Sequence, residues 1–311
     1  MRKTTRLRRL MEAPEILRMP GIHDALSAKL AEEAGFAAVA LGGFPATGTL
    51  LAEPDSSQLS LAELAEHLAR ICDATSLPVF ADADTGFGNV TNTARTVRTL
   101  ERAGVAGLFI EDQVFPKRCG HTPGKAVVPA AEMAAKIAAA CDARHDPDLL
   151  IMARTDAIAV NGLDDAIARA NLYREAGADA LFVEAPATLD DMRRIVAEAP
   201  GLHMTNMVDF GMSPTLTGAE AQAMGFACIV WPVTTILAQV KMLRDLFARL
   251  KDADGTAGLT DMLAPFDDYT RLVGLPRLRE REQAFLDHAA ALADAGQPPA
   301  GRMARGVFAA R

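Results

Sequence analysis

The chain has 311 residues, of which 50% are hydrophobic and 23% charged, as in a soluble globular protein with one large core. Its net charge of −8 and its lack of a basic block argue against nucleic-acid binding, although local cations in a cleft can still attract an anionic substrate. The four cysteines lack the spacing of a zinc knuckle or a disulfide framework, and no run of 18 apolar residues predicts a membrane span.

The two ends of the chain differ in composition from its body. Residues 1–9 are rich in arginine and lysine, but neither an apolar segment nor a cleavage site follows. We therefore expect a solvated first helix rather than a targeting signal, and a cytoplasmic protein. We predict a single domain over 1–311, with a barrel at about 10–250, a helical tail at about 251–295 and disorder at 297–311.

Short apolar runs alternate with amphipathic helical stretches from residue 16 to about residue 250. The predicted strands are Ile16–Met19, Ala37–Leu41, Pro78–Ala83, Gly107–Glu111, Leu149–Ala153, Ala180–Glu184, Leu202–Asn206 and Ala227–Trp231. The predicted helices are Asp24–Ala34, Leu61–Thr75, Asn89–Ala103, Ala130–Ala143, Leu163–Ala176, Leu189–Ala199, Gly218–Met224 and Thr234–Leu250. Eight strands alternating with helices predict an α/β fold, a (β/α)8 TIM barrel. A doubly wound open sheet is disfavoured because no Gly-x-Gly-x-x-Gly follows the first strand.

Acidic side chains stand at the carboxyl ends of these strands, where a barrel places its active site. Asp82 and Asp84 are two positions apart on the third strand, so we expect their carboxylates to share a face and reach one ion. Glu111 ends the fourth strand. Several carboxylates with water suit Mg²⁺ or Mn²⁺. The alternative is that one Asp caps the next helix while the other is exposed.

Other strand ends carry groups that suit an anionic substrate. Arg154 offers a planar fork for a carboxylate or phosphate, or balances the charge of neighbouring acids. Asn206 can donate to a substrate carboxylate or cap a loop. Glu184 is a further acid at a strand end, and its alternative role is a salt bridge with a neighbouring arginine. Gly42 and Gly43 follow the second strand, where small residues let backbone N–H groups approach a ligand.

The stretch after the fourth strand combines two cations, a thiol and an imidazole: Lys117, Arg118, Cys119 and His121. The neighbouring cations favour the thiolate of Cys119, and loops of this kind close over an active site. One cysteine and one histidine make a poor zinc site. The alternatives are an inert cysteine and a solvated surface loop.

Three segments carry a resemblance to a known family: Phe80–Gly88 (FADADTGFG), Ile110–His121 (IEDQVFPKRCGH) and Ile151–Asp156 (IMARTD). Together they resemble the isocitrate lyase/phosphoenolpyruvate mutase superfamily, nearest its 2-methylisocitrate lyase, 2,3-dimethylmalate lyase and oxaloacetate hydrolase-like members. The likeness runs from about Leu10 to Leu286, nearly the whole chain.

The resemblance implies a barrel whose eighth helix is swapped with a partner, in a homotetramer built as a dimer of dimers. It implies Mg²⁺ held by Asp82, Asp84 and Glu111, partly through water, with Asp55 nearby. Cys119 would be the catalytic acid/base on a gating loop that carries Lys117 and Arg118. The residues implied for the substrate's carboxylates are Gly42, Gly43, Gly120, His121, Arg154, Glu184 and Asn206.

The implied reaction is Mg²⁺-dependent cleavage of a substituted 2-hydroxy dicarboxylate, of 2-methylisocitrate or 2,3-dimethylmalate type, to a 2-oxo acid and a carboxylate. Cys119 would protonate the enolate-like product at carbon. Leu41 replaces the serine of methylisocitrate lyases, and Phe115-Pro116 replaces smaller loop residues, which favours a substituted malate or oxaloacetate over a tricarboxylate.

Three alternatives stay open. Two are enzymes, an oxaloacetate hydrolase and a phosphonopyruvate-type P–C mutase, although the mutase loop usually carries asparagine where this chain has Cys119. The third is a catalytically silent barrel that binds a dicarboxylate. The base that removes the substrate's hydroxyl proton is not assigned by the sequence.

Overall fold

The computed structural model describes residues 1–120, 122 and 124–294. The chain forms two compact units, Met1–Phe247 and a second that begins at Ala248. All eight strands belong to the first unit: β1 Leu17–Pro20, β2 Val39–Leu41, β3 Val79–Asp82, β4 Gly107–Glu111, β5 Leu150–Thr155, β6 Ala180–Val183, β7 His203–Asn206 and β8 Cys228–Trp231. His121, which was expected to bind substrate, and the 297–311 segment lie outside the described residues.

The strands form one parallel sheet in the order β1-β8-β7-β6-β5-β4-β3-β2. The seam between β1 and β2 is closed by the N–H of Ile22, which donates to the carbonyl of Ala40 at 2.9 Å. A parallel sheet that closes on itself in chain order is a TIM barrel. The predicted (β/α)8 fold is confirmed.

Thirteen α-helices are found in the described part of the chain: α1 Lys3–Met11, α2 Ala25–Glu33, α3 Gly43–Leu51, α4 Leu61–Ala74, α5 Val90–Arg102, α6 Ala130–Ala143, α7 Ile158–Asn161, α8 Leu163–Glu175, α9 Leu189–Glu198, α10 Gly218–Met224, α11 Thr234–Ala253, α12 Phe266–Leu272 and α13 Leu275–Asp294. The predicted boundaries are met to within about three residues. Helices α3 and α7 were missed, because Gly43–Leu51 has two glycines and a proline and weak helix propensity. No helix in residues 1–120 and 124–294 combines the length and apolar character needed to cross a bilayer.

The interior of the barrel is filled from below by α1. Leu7 and Met11 of this helix are buried in the cluster that contains the inward-facing Phe80 and Phe109. Gly107 makes room for α1 at the start of β4, because a Cβ there would lie 2.9 Å from Leu7 Cδ2. The first helix is present as expected but only partly solvated, because its apolar stripe closes the amino-terminal end of the barrel.

Reciprocal side-chain caps fix where five of the described helices begin. The capping residues of α2, α4, α5, α9 and α10 are Asp24, Ser60, Asn89, Thr188 and Thr217. Each cap pairs backbone donors that the first helical turn leaves free. The loops before these helices are thereby held at the carboxyl ends of the strands, where the polar side chains converge.

Candidate active site

Two adjoining cavities lie at the carboxyl ends of the strands. The larger is lined by nine of the predicted site residues: Gly42, Asp55, Asp82, Lys117, Cys119, Gly120, Arg154, Glu184 and Asn206. The smaller shares Asp55, Asp82 and Lys117 with it and adds Gly43, Ser57 and Asp84. Of the predicted residues that the structure describes, Glu111 and Arg118 line neither cavity.

Asp82 and Asp84 meet in the smaller cavity, but not for the predicted reason. Strand β3 ends at Asp82, and Asp84 has left-handed backbone dihedrals with φ of 53°. The N–H of Asp84 donates to Asp82 Oδ1 at 2.8 Å, and the N–H of Gly43 donates to Asp82 Oδ2 at 2.8 Å. A tight turn, rather than strand alternation, therefore brings the two carboxylates together.

Lys117 extends into this group of carboxylates. Its Nζ lies 2.7 Å from Asp55 Oδ2 and 3.7 Å from Asp84 Oδ1. Burial alone would lower the pKa of Lys117, but the neighbouring carboxylates, Glu111 foremost, outweigh it and raise that pKa well above its usual value. Lys117 is thus a permanent cation that compensates carboxylates.

Arg154 is the second buried cation, and three acids surround it. Its Nε and Nη2 donate to Asp156 at 2.9 and 3.1 Å, Glu111 Oε2 lies 3.2 Å from Nε, and Glu184 Oε1 lies 3.7 Å from Nη2. Burial opposes the ionisation of Asp156, but Arg154 outweighs it and holds the pKa of that carboxyl below its usual value. The structure thus places Glu111 against Arg154, and its role as a metal ligand stays a prediction.

Arg154 is also enclosed by aromatic rings and by the loop. Its guanidinium carbon lies 5.6 Å from the ring centroid of Phe109 and 5.2 Å from that of Phe182. Gly120 packs so closely that a Cβ there would lie 2.1 Å from Glu184 Oε1 and 2.4 Å from Arg154 Nη2. A side chain at position 120 would displace the predicted substrate-binding pair, so the site requires glycine.

Glu184 and Asn206 sit side by side on neighbouring strand ends. Asn206 Nδ2 lies 3.3 Å from Glu184 Oε2, and both residues are buried. The structure thus brings together the predicted residues Arg154, Gly120, Glu184 and Asn206 in one wall of the larger cavity.

Cys119 reaches the larger cavity from the β4–α6 loop, residues 112–129, and is partly buried. Gln113 holds this loop in shape, because its side-chain amide donates to the carbonyl of Arg118 at 2.9 Å and accepts from the N–H of Arg118 at 3.1 Å. Lys125 of the same loop adds a cation, 3.0 Å from Asp156. No sequence pattern predicted a role for Gln113 or Lys125, although Gln113 lies inside the Ile110–His121 motif.

Beneath the site, Asp112 organises the strand ends that carry these groups. Its carboxylate accepts from Thr155 Oγ1 at 2.7 Å, from the N–H of Asp156 at 2.9 Å, from Tyr173 Oη at 2.8 Å and from Arg169 at 3.2 Å. Arg169 also donates to the carbonyl of Val128 at the end of the β4–α6 loop. Asp112 therefore links the Arg154–Asp156 pair to the base of the loop, a role that no sequence pattern indicated.

The charges of the site fit a divalent cation. Among the residues that the structure describes, six carboxyl groups with buried side chains lie around three buried cations, Lys117, Lys125 and Arg154; the acids are Asp55, Asp82, Asp84, Glu111, Asp156 and Glu184. Asp84 Oδ1 and both oxygens of Glu111 are buried and accept no hydrogen bond from the described residues. Burial raises the pKa of Asp84 to about 6, against the opposing charge of Lys117. Excess buried negative charge of this kind is what an oxygen-ligated cation compensates.

The geometry limits how such an ion would be held. Within the described ranges, no three His, Cys, Asp or Glu side chains are arranged to bind a metal directly together. Mg²⁺ usually keeps several waters and takes only one or two protein carboxylates. Binding of an ion partly through water, which the family resemblance implies, therefore stays a prediction.

Comparison with known proteins decides the family. The model of the family described as phosphoenolpyruvate phosphomutase matches residues 7–251. The chain belongs to this family. Its match spans the complete barrel, from the helix that closes the amino-terminal end through the eighth strand, so the resemblance inferred from sequence is confirmed.

Characterised members of the family are similar over most of their length. The 2,3-dimethylmalate lyase of Eubacterium barkeri is 41% identical over 285 residues, covering 92% of this chain and 99% of the relative. The 2-methylisocitrate lyase of Bacillus subtilis is 43% identical over 258 residues, covering 83% and 85%.

Solved structures of the family share the fold at similar sequence distance. Oxaloacetate acetylhydrolase in complex with 3,3-difluorooxalacetate superposes with a TM-score of 0.85 at 33% identity, covering 91% of this chain and 96% of that one. A phosphonopyruvate hydrolase complex with oxalate and Mg²⁺ gives 0.82 at 32% identity, covering 92% and 100%. This family member therefore shares its barrel with enzymes of several reaction types.

The first prediction concerns the carboxylates of the smaller cavity. Asp84→Asn removes one negative charge while asparagine tolerates the left-handed backbone. We expect Mn²⁺ affinity, measured by electron paramagnetic resonance, to fall at least about tenfold, the loss expected from one charged ligand. Asp190→Asn, at an exposed carboxylate, is the control and should bind as the wild type does. Equal affinity in all three proteins would remove Asp84 from the metal site.

Proposed function

We propose that this protein is a carbon–carbon lyase that cleaves a 2,3-dialkylmalate into a 2-oxo acid and a carboxylate, with Mg²⁺ or Mn²⁺ held near Asp55, Asp82 and Asp84. The observation that carries the proposal is a cavity that combines Arg154 and Cys119 with an apolar wall. The 41% identity to a 2,3-dimethylmalate lyase supports the same reaction class.

The apolar wall supports an alkyl-substituted substrate. It is formed by Leu41, Phe44, Pro45, Val208, Val230, Pro232 and Val233. Each buried methyl or methylene group contributes about 0.8 kcal/mol, whereas a carboxylate placed there would lose its hydration without a partner. The cations among the described lining residues are Lys117 and Arg154, and both already contact carboxylates. The wall therefore favours a dialkylmalate over the third carboxylate of 2-methylisocitrate.

Arg154 and its neighbours are suited to orient the substrate. Asp156 and Glu184 hold the guanidinium in place, so that little ordering is required when a substrate carboxylate binds. Helix α3 begins at Gly43, directly after Gly42 at the cavity, and the amino terminus of a helix favours negative charge. Arg154 and the start of α3 thus offer favourable partners for the two ends of a dicarboxylate.

The bond that breaks joins the hydroxylated C2 to the carboxylated C3. Loss of the hydroxyl proton lets C2 become a carbonyl, while the electron pair of the C2–C3 bond passes to C3 and spreads over its carboxylate. The thiol of Cys119 then donates a proton to C3, so one proton leaves oxygen and one arrives at carbon. A bound divalent cation would supply positive charge that stabilises the oxygen anions that develop.

The proposed assembly is a homotetramer of helix-swapped dimers. None of the 20 residues of α11, all of them described, is buried. In the second unit, Phe266, Leu278 and Leu286 are 79%, 53% and 64% exposed. Large apolar side chains on helices are usually covered, and a partner subunit would cover these.

The test of the function is a substrate screen. The purified protein with Mg²⁺ is incubated with 2,3-dimethylmalate, 2-methylisocitrate, oxaloacetate or phosphonopyruvate, and 2-oxo acids and oxalate are measured. We expect kcat/KM for 2,3-dimethylmalate to exceed that for 2-methylisocitrate by at least about tenfold, because the extra carboxylate of 2-methylisocitrate would lose its hydration against the apolar wall without gaining a partner. Faster release of oxalate from oxaloacetate would instead identify a hydrolase. If none of the compounds is turned over, the catalytically silent dicarboxylate-binding barrel is the remaining hypothesis.

A second prediction tests the thiol. Cys119→Ala should lower kcat by about 10²–10⁴-fold, the usual contribution of a positioned proton donor. Binding of oxalate with Mg²⁺, measured by calorimetry, should stay near the wild-type value because oxalate needs no proton. Cys141→Ala removes a partly buried thiol beside Gly177 and should leave turnover unchanged. Wild-type turnover in Cys119→Ala would refute the assigned role.

A third prediction concerns assembly. Light scattering should give about four times the chain mass of 33.0 kDa. Leu278→Asp combined with Leu286→Asp should lower the mass, because two charges would be placed in an apolar contact. Circular dichroism checks that the helices persist. A wild-type mass of 33.0 kDa would exclude the proposed tetramer.

A further inference from the structure

Ser57 lies between the metal-binding carboxylates and the β4–α6 loop, and none of the roles assigned above uses it. It lines the smaller cavity beside Asp84 and also the surface groove between α4 and α5. Its backbone is left-handed, with φ of 58°, a conformation that residues other than glycine rarely adopt. A serine held there against its preference needs an explanation in its contacts.

The hydroxyl of Ser57 uses both its acceptor and its donor. The backbone N–H of Lys117 donates to Ser57 Oγ at 3.0 Å, and Ser57 Oγ donates to Asp84 Oδ2 at 3.1 Å. When one hydroxyl both accepts and donates a hydrogen bond, each of the two bonds strengthens the other. One side chain therefore joins the backbone of the loop to a carboxylate of the metal pocket.

The bridge continues through the floor of the pocket. Asp84, also left-handed, donates its N–H to Asp82, which accepts from the N–H of Gly43 at the start of α3. Four segments are thus connected in one chain of hydrogen bonds: the β4–α6 loop, the loop of Ser57, the turn after β3 and the amino terminus of α3. The oxygen of Asp84 that Ser57 leaves free, Oδ1, is the one that faces Lys117 Nζ at 3.7 Å.

We propose that Ser57 is a positioning residue that couples the placement of the β4–α6 loop at Lys117 to the occupancy of the metal pocket. The inference rests on the proposed metal site. Ser57 binds Oδ2 of Asp84 and so leaves Oδ1 available to a cation. An ion that holds Asp84 in place also holds Ser57 Oγ, which accepts the hydrogen bond from the backbone N–H of Lys117. Because such coupling is reciprocal, the ion stabilises the loop and the loop favours the ion.

Ser57→Gly is the informative variant, because glycine accepts the left-handed backbone while the CH2OH group that makes both hydrogen bonds is removed. Ser56→Gly is its matched control: it removes the neighbouring hydroxyl, which contacts Gln58 and Pro54 but not the metal pocket. Hydrogen–deuterium exchange of the 113–118 segment, read by mass spectrometry with and without MgCl₂, reports the loop without requiring turnover.

Without metal, we expect exchange in 113–118 to be about three- to tenfold faster in Ser57→Gly than in the wild type or Ser56→Gly. With MgCl₂, exchange should slow in the wild type and in Ser56→Gly, and this slowing should be largely lost in Ser57→Gly. Mn²⁺ affinity should fall about three- to tenfold in Ser57→Gly alone.

The outcomes separate the two hypotheses. Equal exchange in Ser57→Gly and the wild type, with and without metal, would overturn the bridge. A faster loop that responds to MgCl₂ as the wild type does would overturn the coupling. If the wild type itself binds no Mn²⁺, the metal site is wrong and the coupling with it, whereas the exchange measured without metal still tests the hydrogen bonds of Ser57.

Discussion

An excess of buried negative charge at the mouth of the barrel is the constraint on which the rest of this structure depends. Carboxylates out of water are costly unless cations or hydrogen-bond donors stabilise them, and here six acids share three cations. The acids form two groups: Asp55, Asp82 and Asp84 line the smaller cavity with Lys117, whereas Glu111, Asp156 and Glu184 surround Arg154. This imbalance would destabilise an empty barrel, and it is the basis for the proposed binding of a divalent cation.

The arrangement around Arg154 shows how the fold limits the freedom of its charged groups. Asp156 fixes one edge of the guanidinium, and Asp112 fixes Asp156 through its backbone N–H. Asp112 is in turn held by donors from β5 and α8, so Arg154, the proposed substrate-binding cation, is supported from the core of the barrel. A site organised in this way needs little reorganisation during the reaction, which is the main source of electrostatic catalysis.

Many of the residues at the site could be predicted from the sequence, because the carboxyl ends of all barrel strands lie at the same end of the barrel. Asp82, Arg154, Glu184 and Asn206 follow from it directly. Where the chain leaves regular geometry, the rule fails. The left-handed turn at Asp84 and the serine bridge at Ser57 depend on backbone dihedrals that residue spacing does not encode. Glu111 ends a strand as expected, but its buried side chain pairs with Arg154. This pairing depends on how the side chains pack, which the sequence pattern does not specify.

The helix that closes the bottom of the barrel has a consequence for how the chain folds. Leu7 and Met11 precede all eight strands in the chain, but the interior that receives them includes Phe80, Phe109 and Leu150. Contacts between residues about a hundred positions apart form slowly, because a long loop must close before they contribute stability. The apolar stripe of α1 therefore lacks its complete set of packing partners until the chain has folded as far as β5, and contacts over such separations are among the slower ones to form.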